Sequence, residues 1–466
     1  MRLTAPMVPV LALLAYLTAS PLALAAGLYL APRGVRPLAR AGAYVAGVAD
    51  VHALSYNPAG LAWARPQLLV DLALPLHRTV YSRRVYPDSP QLMPVEGREL
   101  GLPSPTVGAV LAVPGVGDWL RLGLSLAADT PLMQNWPSAW ANPDTPQRYA
   151  AGDFRGTALL NASVGLGIAP TDWLALGVGV DLLVGSFAAA ATISTCDGAL
   201  CVQAEDPEYD ATIALRAVGL LAPALHLGMI LRPLPWLRLG LAYRSMAVVD
   251  HEASFHLSLP QAAAYAQAKL QPAAPRAQVH MRLPPIWRAG IEVRNRRARL
   301  ELTFVHEGWS VHDAIVVRVE RAALENIVAL GTYPLATQIA IARNYRDISA
   351  WRLGGEVRLL GGEVGRQLGL RAGLMWEPSA IAPAVLTPMS VDLDKVLVSA
   401  GPYLRLGPWL LEATCAYVHL FSQRVRDSRQ LQINPTRPPW PGRTPIGNGD
   451  YRSYAWVAGL GARVDL

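Results

Sequence analysis

Asp172-Trp173-Leu174-Ala175-Leu176-Gly177-Val178-Gly179-Val180-Asp181-Leu182 is the stretch that decides the fold. Leu174, Leu176, Val178, Val180 and Leu182 share one face of an extended chain, and Ala175, Gly177, Gly179 and Asp181 share the other. Side chains alternate across a strand, so this is a ribbon with one apolar face and one small or polar face. Near-copies stand at Asp118-Trp119-Leu120-Arg121-Leu122-Gly123-Leu124 and Pro235-Trp236-Leu237-Arg238-Leu239-Gly240-Leu241. A soluble sandwich strand carries the same pattern, so the number and spacing of the ribbons must decide.

Alternation bounded by turn residues predicts fourteen strands, at 67–83, 104–114, 119–129, 156–169, 173–185, 213–232, 236–250, 281–294, 297–308, 349–361, 366–377, 395–406, 408–423 and 451–466. Connections after the even strands are short, as in Ala169-Pro170-Thr171-Asp172; those after the odd strands are long and polar or Pro-rich. Outer-membrane barrels sort their loops this way, with tight periplasmic turns, long outer loops and an even strand number. A sandwich has no reason to sort loop length by parity. The expected fold is therefore all-β, a 14-stranded antiparallel transmembrane β-barrel. Leu368, Leu370, Ala372, Leu374 and Trp376 oppose Gln367, Gly369, Arg371, Gly373 and Met375, which places the charge in the lumen. A charge facing lipid at mid-depth costs roughly 2–4 kcal/mol. Trp119, Trp173 and Trp236 share parity with the lumen face; a bulge at the strand start would re-aim them, and otherwise they pack inside the periplasmic mouth.

Composition agrees. Hydrophobic residues make up 52% of the chain and charged residues 16%, yet the best apolar window, 211–231, contains Arg216, Pro223 and His226. No spanning helix is predicted. The net charge of +7 is scattered, which argues against a nucleic-acid surface and suits attraction to anionic outer-membrane lipids. Residues 1–25 read as a secretory signal peptide, cut after Ala25 or Ala26. Residues 26–66 are Gly- and Ala-rich without alternation and read as an N-terminal hatch filling the lumen of a barrel over 67–466. Cys196 and Cys201 are expected to form a local disulfide, since no further soft ligands stand nearby for a metal. No cofactor is implied.

Within 26–66 lies Arg40-Ala41-Gly42-Ala43-Tyr44-Val45-Ala46-Gly47-Val48-Ala49-Asp50, followed by Ala53-Leu54-Ser55-Tyr56-Asn57-Pro58-Ala59-Gly60-Leu61-Ala62. An Asn-Pro-Ala core set after a Gly/Ala-rich lead and before a strand resembles the hatch of the FadL/OmpP1/TodX family of outer-membrane long-chain fatty acid transporters, which includes aromatic-hydrocarbon channels. Trp309-Ser310 behind a strand, Trp351 to Glu356, and Asn448-Gly449-Asp450-Tyr451 before the last strand extend the resemblance over the mature chain. The chain departs from the family in its last residue, Leu466, which bears on recognition by the barrel-assembly machinery. It also departs at His52 and in an enlarged loop over 309–348.

The resemblance implies passive uptake of long-chain fatty acids or similar hydrophobic compounds across the bacterial outer membrane, through an apolar lumen pocket and a lateral opening gated by the hatch. Asn57, Pro58, Ala59 and Gly60 are then the gating turn. Pro58 biases Asn57 toward an extended shape, and Gly60 admits backbone angles closed to other residues. Arg121, Arg238, Arg244 and Arg371 face the lumen and are the candidates to meet a carboxylate headgroup; the competing role is a lumen ion pair with Glu301 or Glu356. The segment from Gln261 to Leu270 suits a short outer-loop helix. A barrel-borne lipid hydrolase and a non-transporting surface binding protein are the alternatives. Against the enzyme, no Gly-x-Ser-x-Gly elbow is present, and His251-Glu252 and His306-Glu307 lack a second histidine at zincin spacing.

Overall fold

The structure, a computed structural model, describes residues 32–99, 103–128, 134–137, 145–196, 201, 205–362, 365–433 and 444–466; the signal-peptide reading lies outside the described residues. Its wall strands are β1 (Gln67–Arg83), β2 (Ser104–Ala112), β3 (Leu120–Ala128), β4 (Ala158–Thr171), β5 (Leu174–Ser194), β6 (Asp210–Leu234) and β7 (Leu237–Arg244, resumed at Ala247–Ser258). They continue as β8 (Arg276–Leu283, resumed at Ile286–Arg294), β9 (Ala298–Glu307), β10 (Ile348–Leu360), β11 (Arg366–Glu377), β12 (Lys395–Leu406), β13 (Trp409–Val425) and β14 (Gly449–Asp465). Each pairs antiparallel with the next. β14 returns to β1 in unbroken register, from Gln67 opposite Asp465 to Arg83 opposite Gly449. Closure removes the sheet edge and satisfies the backbone without water, the condition for spanning a bilayer with strands. Among the described residues no helix is long and apolar enough to cross a membrane.

The two faces sort as alternation dictates. Leu68, Val70, Leu72, Leu74 and Leu76 of β1 are exposed on the outside, as are Leu176, Val178 and Val180 of β5, whereas Asp71, Asp181, Glu292 and Glu301 are buried inside. Tyr243 against Trp287 (4.1 Å between ring centroids), Phe304 against Trp351 (5.0 Å) and Tyr417 against Trp456 (4.7 Å) mark one interfacial belt. Trp119, Trp173 and Trp236 are each half exposed rather than packed in the mouth. They sit in the turns, where their carbonyls accept from Ala169, Arg232 and Arg294, so strand parity does not reach them. They form the other belt.

The outer loops hold structure that alternation did not separate. Ala247–Ser258 and Arg276–Leu283, the outer continuations of β7 and β8, pair with each other, and Ala314–Val319 and Gln338–Ala342 follow in succession, extending the sheet on the outer side. Asp250, Glu252 and Arg282 are exposed on this extension, so it stands clear of the hydrocarbon. Its inner face carries Val249, Phe255, Val279 and Val317 in one apolar cluster. The enlarged loop is thus partly sheet. The helix expected over 261–270 is instead a 3-10 turn at Ala263–Tyr265 and a short strand at Lys269–Gln271, because Lys269 to Gln271 pair with Ala323 to Glu325.

Candidate functional site

Inside the barrel runs the N-terminal segment, from residue 32 to 66. It holds α1 (Val35–Ala39), α2 (Ala53–Tyr56) and a 3-10 turn at Pro58–Trp63. Helices this short do not persist alone in water. Positive φ at Ala41 (51°) and Gly42 (80°) turns the chain back after α1. The wall supplies what the segment lacks.

First, the wall is cut away where the segment touches it. Gly167, Gly177 and Gly228 are neighbours in register on β4, β5 and β6. A Cβ on Gly177 would overlap the backbone of Pro58 and Ala59, one on Gly228 the Asn57 side chain, and one on Gly167 the backbone of Leu61 and Ala62. Gly240 opposite Gly290 receives Val45 and Ala46, and Gly354 opposite Gly373 receives Arg40. The small face read from the sequence is therefore a moulded seat. Gly60 serves the same end: its φ is not positive, and it is glycine because Val48 presses on it.

Second, the backbone amides of the segment are taken up by wall carboxylates. Glu301 on β9 accepts from Val45, Ala46 (2.9 Å) and Gly47 (3.0 Å), and from Thr303 Oγ1 (3.0 Å), and pairs with Arg40 (3.2 Å). Asp71 on β1 accepts from the Val35 amide at 2.7 Å. Asn57 Nδ2 donates to the carbonyls of Val45 (3.0 Å) and, across on β6, Met229 (3.1 Å), while its Oδ1 caps Ala59 N (3.2 Å). Pro58 holds Asn57 extended, at φ −163°, which makes the cap geometry available.

Third, charges are paired in a buried interior. Arg36 reaches Asp50 (3.1 Å) and Glu356 (3.1 Å), and Glu356 also takes Arg299 (3.2 Å) and Arg371 (3.0 Å). His52, buried, lies between Asp50 (3.1 Å) and Asp71 (2.9 Å). Burial disfavours its charged form, but the two carboxylates outweigh burial and raise its pKa to about 10. The sign follows. A raised histidine stabilises docking fully below its unfolded value of ~6.5, and that contribution disappears as pH rises through about 10. A spin label at position 49, on the periplasmic side, is expected to gain mobility across this window. His52→Gln should start more mobile and show no further rise; an identical rise in that variant would discard the assignment.

The family model for outer membrane protein transport proteins (OMPP1/FadL/TodX) matches residues 16–465. The chain belongs to this family. A FadL homologue from Pseudomonas aeruginosa superposes with a TM-score of 0.71 at 17% identity, covering 94% of this chain and 100% of that one. The toluene transporter TodX of Pseudomonas putida gives 0.59 at 13% identity over 94% and 99%. TbuX, the Ralstonia pickettii toluene transporter, gives 0.58 at 14% over 93% and 99%. At these identities the likeness shows the fold. No curated protein matches the chain. As a FadL/OmpP1/TodX member, it is an outer-membrane barrel.

This FadL-family barrel does not bring its four sequence-selected arginines together. Arg121 stays at the periplasmic end on Asp118 (2.7 Å) and the Leu120 carbonyl (3.0 Å). Arg371 pairs with Glu356 and Glu412 (2.7 Å), and Arg238 rests over Trp63, 5.1 Å from the ring centroid. Arg238 and Arg371 line one periplasmic cavity. Arg244 pairs with Asp181 (3.1 Å) and lines a separate polar pocket with Arg288, Arg352, Glu307, Ser55 and Tyr56. Arg288 was missed; it has no carboxylate within 4 Å among the described residues, and its Nη1 is buried without a partner. Its signal was only its lumen parity on β8. Glu301 likewise looked like one more lumen charge. Toward the outside, a cavity of about 350 Å³ is lined by Ile339, Ile341, Val385, Met389, Leu431 and Ile433 among others. Cys196 and Cys201 are joined as a disulfide, with Cα atoms 5.6 Å apart. Among the described residues no group of three His, Cys, Asp or Glu is placed to hold a metal.

Proposed function

We propose that this barrel passively carries long-chain fatty acids or similar hydrophobic compounds across the outer membrane, with the N-terminal segment acting as a movable hatch. The observation that carries the reading is the docking itself: the segment lies in the lumen ahead of β1, and there it is held by hydrogen bonds and ion pairs on a seat of glycines, with no disulfide from it to the wall among the described residues. Contacts of that kind are made and broken reversibly. The outer cavity offers a greasy solute an apolar wall of Ile339, Ile341, Met389 and Ile433 as its first site, with Arg343 and Arg429 on the same lining. Below it, Arg288 supplies a charge suited to a carboxylate, beside the hatch residues Ser55 and Tyr56. The space there is only about 20 Å³, so a headgroup enters as the hatch shifts. The periplasmic mouth is lined by arginines and is a poor exit for hydrocarbon; a lateral opening into the bilayer avoids it.

Uptake of labelled oleate and of toluene by cells with and without the gene tests the transport reading and sorts the ligand classes. Asn57→Ala removes two donated hydrogen bonds and a cap. At ~1 kcal/mol each, docking should weaken by about 2–3 kcal/mol. Uptake should change several-fold with barrel assembly intact. Wild-type uptake in both Asn57→Ala and Pro58→Ala would reject hatch gating while leaving transport standing.

A further inference from the structure

A cavity of about 380 Å³ lies at the periplasmic end, below the hatch and between the short turns. Of its 21 lining residues, eleven are arginine and two, Glu356 and Asp465, are acidic. Arg36, Arg65, Arg299, Arg371, Arg405 and Arg463 each have a carboxylate partner. Five do not: Arg238, Arg294, Arg296, Arg297 and Arg358 have no carboxylate within 4 Å among the described residues. The Arg358 guanidinium donates to the carbonyls of Gly362 (3.0 Å) and Arg296 (2.8 Å). Arg238 is 5% exposed, and its buried Nε has no hydrogen-bond partner. Its guanidinium and that of Arg232 each lie 5.1 Å from the centroid of Trp63.

So many like charges around one small space repel one another, and neighbouring pairs do not absorb the excess. We infer that the periplasmic mouth is a binding site for a multivalent oxyanion of the phosphate or carboxylate type. Guanidinium forks match the paired oxygens of such groups, and low-dielectric walls focus the positive potential on the space between them. The site spans two bodies. Arg36, Trp63 and Arg65 come from the hatch segment, and Arg238 and Arg294 from the wall. An anion bridging them therefore latches the hatch, so the site couples periplasmic anions to the state of the lumen. This does not depend on what passes through the barrel.

The test uses the full mature chain in neutral maltoside micelles, titrated with inorganic diphosphate against chloride at matched ionic strength. Saturable binding and a raised unfolding temperature are expected with diphosphate only. Arg238→Gln/Arg294→Gln should weaken binding at least about tenfold, and the turn variant Arg296→Gln/Arg297→Gln, remote from the packed interior, several-fold. Heat-modifiable gel migration certifies the folded barrel in each case. Repeating the titration in nanodiscs with and without phosphatidylglycerol separates the sources. Competition by that lipid assigns the site to a lipid headgroup, and an unchanged isotherm assigns it to a soluble anion. Absence of saturation, or wild-type affinity in both double variants, overturns the proposal.

Discussion

Glu301→Ala is expected to release the N-terminal segment from the wall. The carboxylate is fully buried, takes the amides of Val45, Ala46 and Gly47, holds Thr303, and neutralises Arg40, whose side chain is itself fully buried. Removing it strands three amide donors. It also leaves Arg40 with a single remaining carboxylate, Glu292 at 3.4 Å. Deleting one partner of a buried pair costs about 3–5 kcal/mol, enough to shift the docked fraction by roughly two to four orders of magnitude. Every lost contact joins the N-terminal segment to the wall except Thr303, so the barrel's own ladder should survive. Hydrogen exchange at residues 43–48 should accelerate by roughly that factor while amides of β9 stay protected, and reconstituted channels should conduct small ions more than the wild type does. Glu301→Gln, which keeps acceptor oxygen but loses charge, should fall between the two. Unchanged protection at Val45 to Gly47 in the alanine variant would refute the docking account.

Gly177→Val should displace the Asn57-Pro58-Ala59 turn by steric exclusion rather than by loss of attraction. The added Cβ falls inside the backbone of Pro58 and Ala59, and neither atom set is the end of a flexible side chain. Overfilling a packed site costs about 1–3 kcal/mol when neighbours can yield, and more when they are main chain. Gly179, two residues on and on the same face, is the internal control. The three atoms nearest a Cβ there all belong to the wall, the closest being the carbonyl of Val164 at 3.1 Å. Gly179→Val should therefore leave hatch protection near wild type, whereas Gly177→Val should raise exchange at residues 57–62 at least tenfold. Equal behaviour of the two would mean that the glycines answer to wall geometry and not to the segment they face.

Much of this protein was legible before any coordinates. Alternation is a local property, so β1, β11 and β14 could be bounded to within a few residues of their observed ends, whereas β5 was opened at the right place but runs on past 185 to Ser194. Loop parity follows from topology alone, and the Asn57-Pro58 turn carries its own backbone preference in two adjacent residues. Parity does not govern Trp119, Trp173 and Trp236, because a turn suspends the strand period. It also hid the extension beyond Ser245, because polar and apolar residues go on alternating above the membrane although the face they turn outward has changed solvent.

Sequence by itself determined a closed, lipid-facing barrel with small residues inside and a non-alternating segment ahead of it, because strand period and turn chemistry act between near neighbours. Only the tertiary structure decided which charges meet. Arg40 and Glu301 stand 261 positions apart, and no local rule relates them. The curvature of fourteen strands brings such distant groups into one dry lumen, and there Coulomb attraction and hydrogen-bond geometry choose the partners.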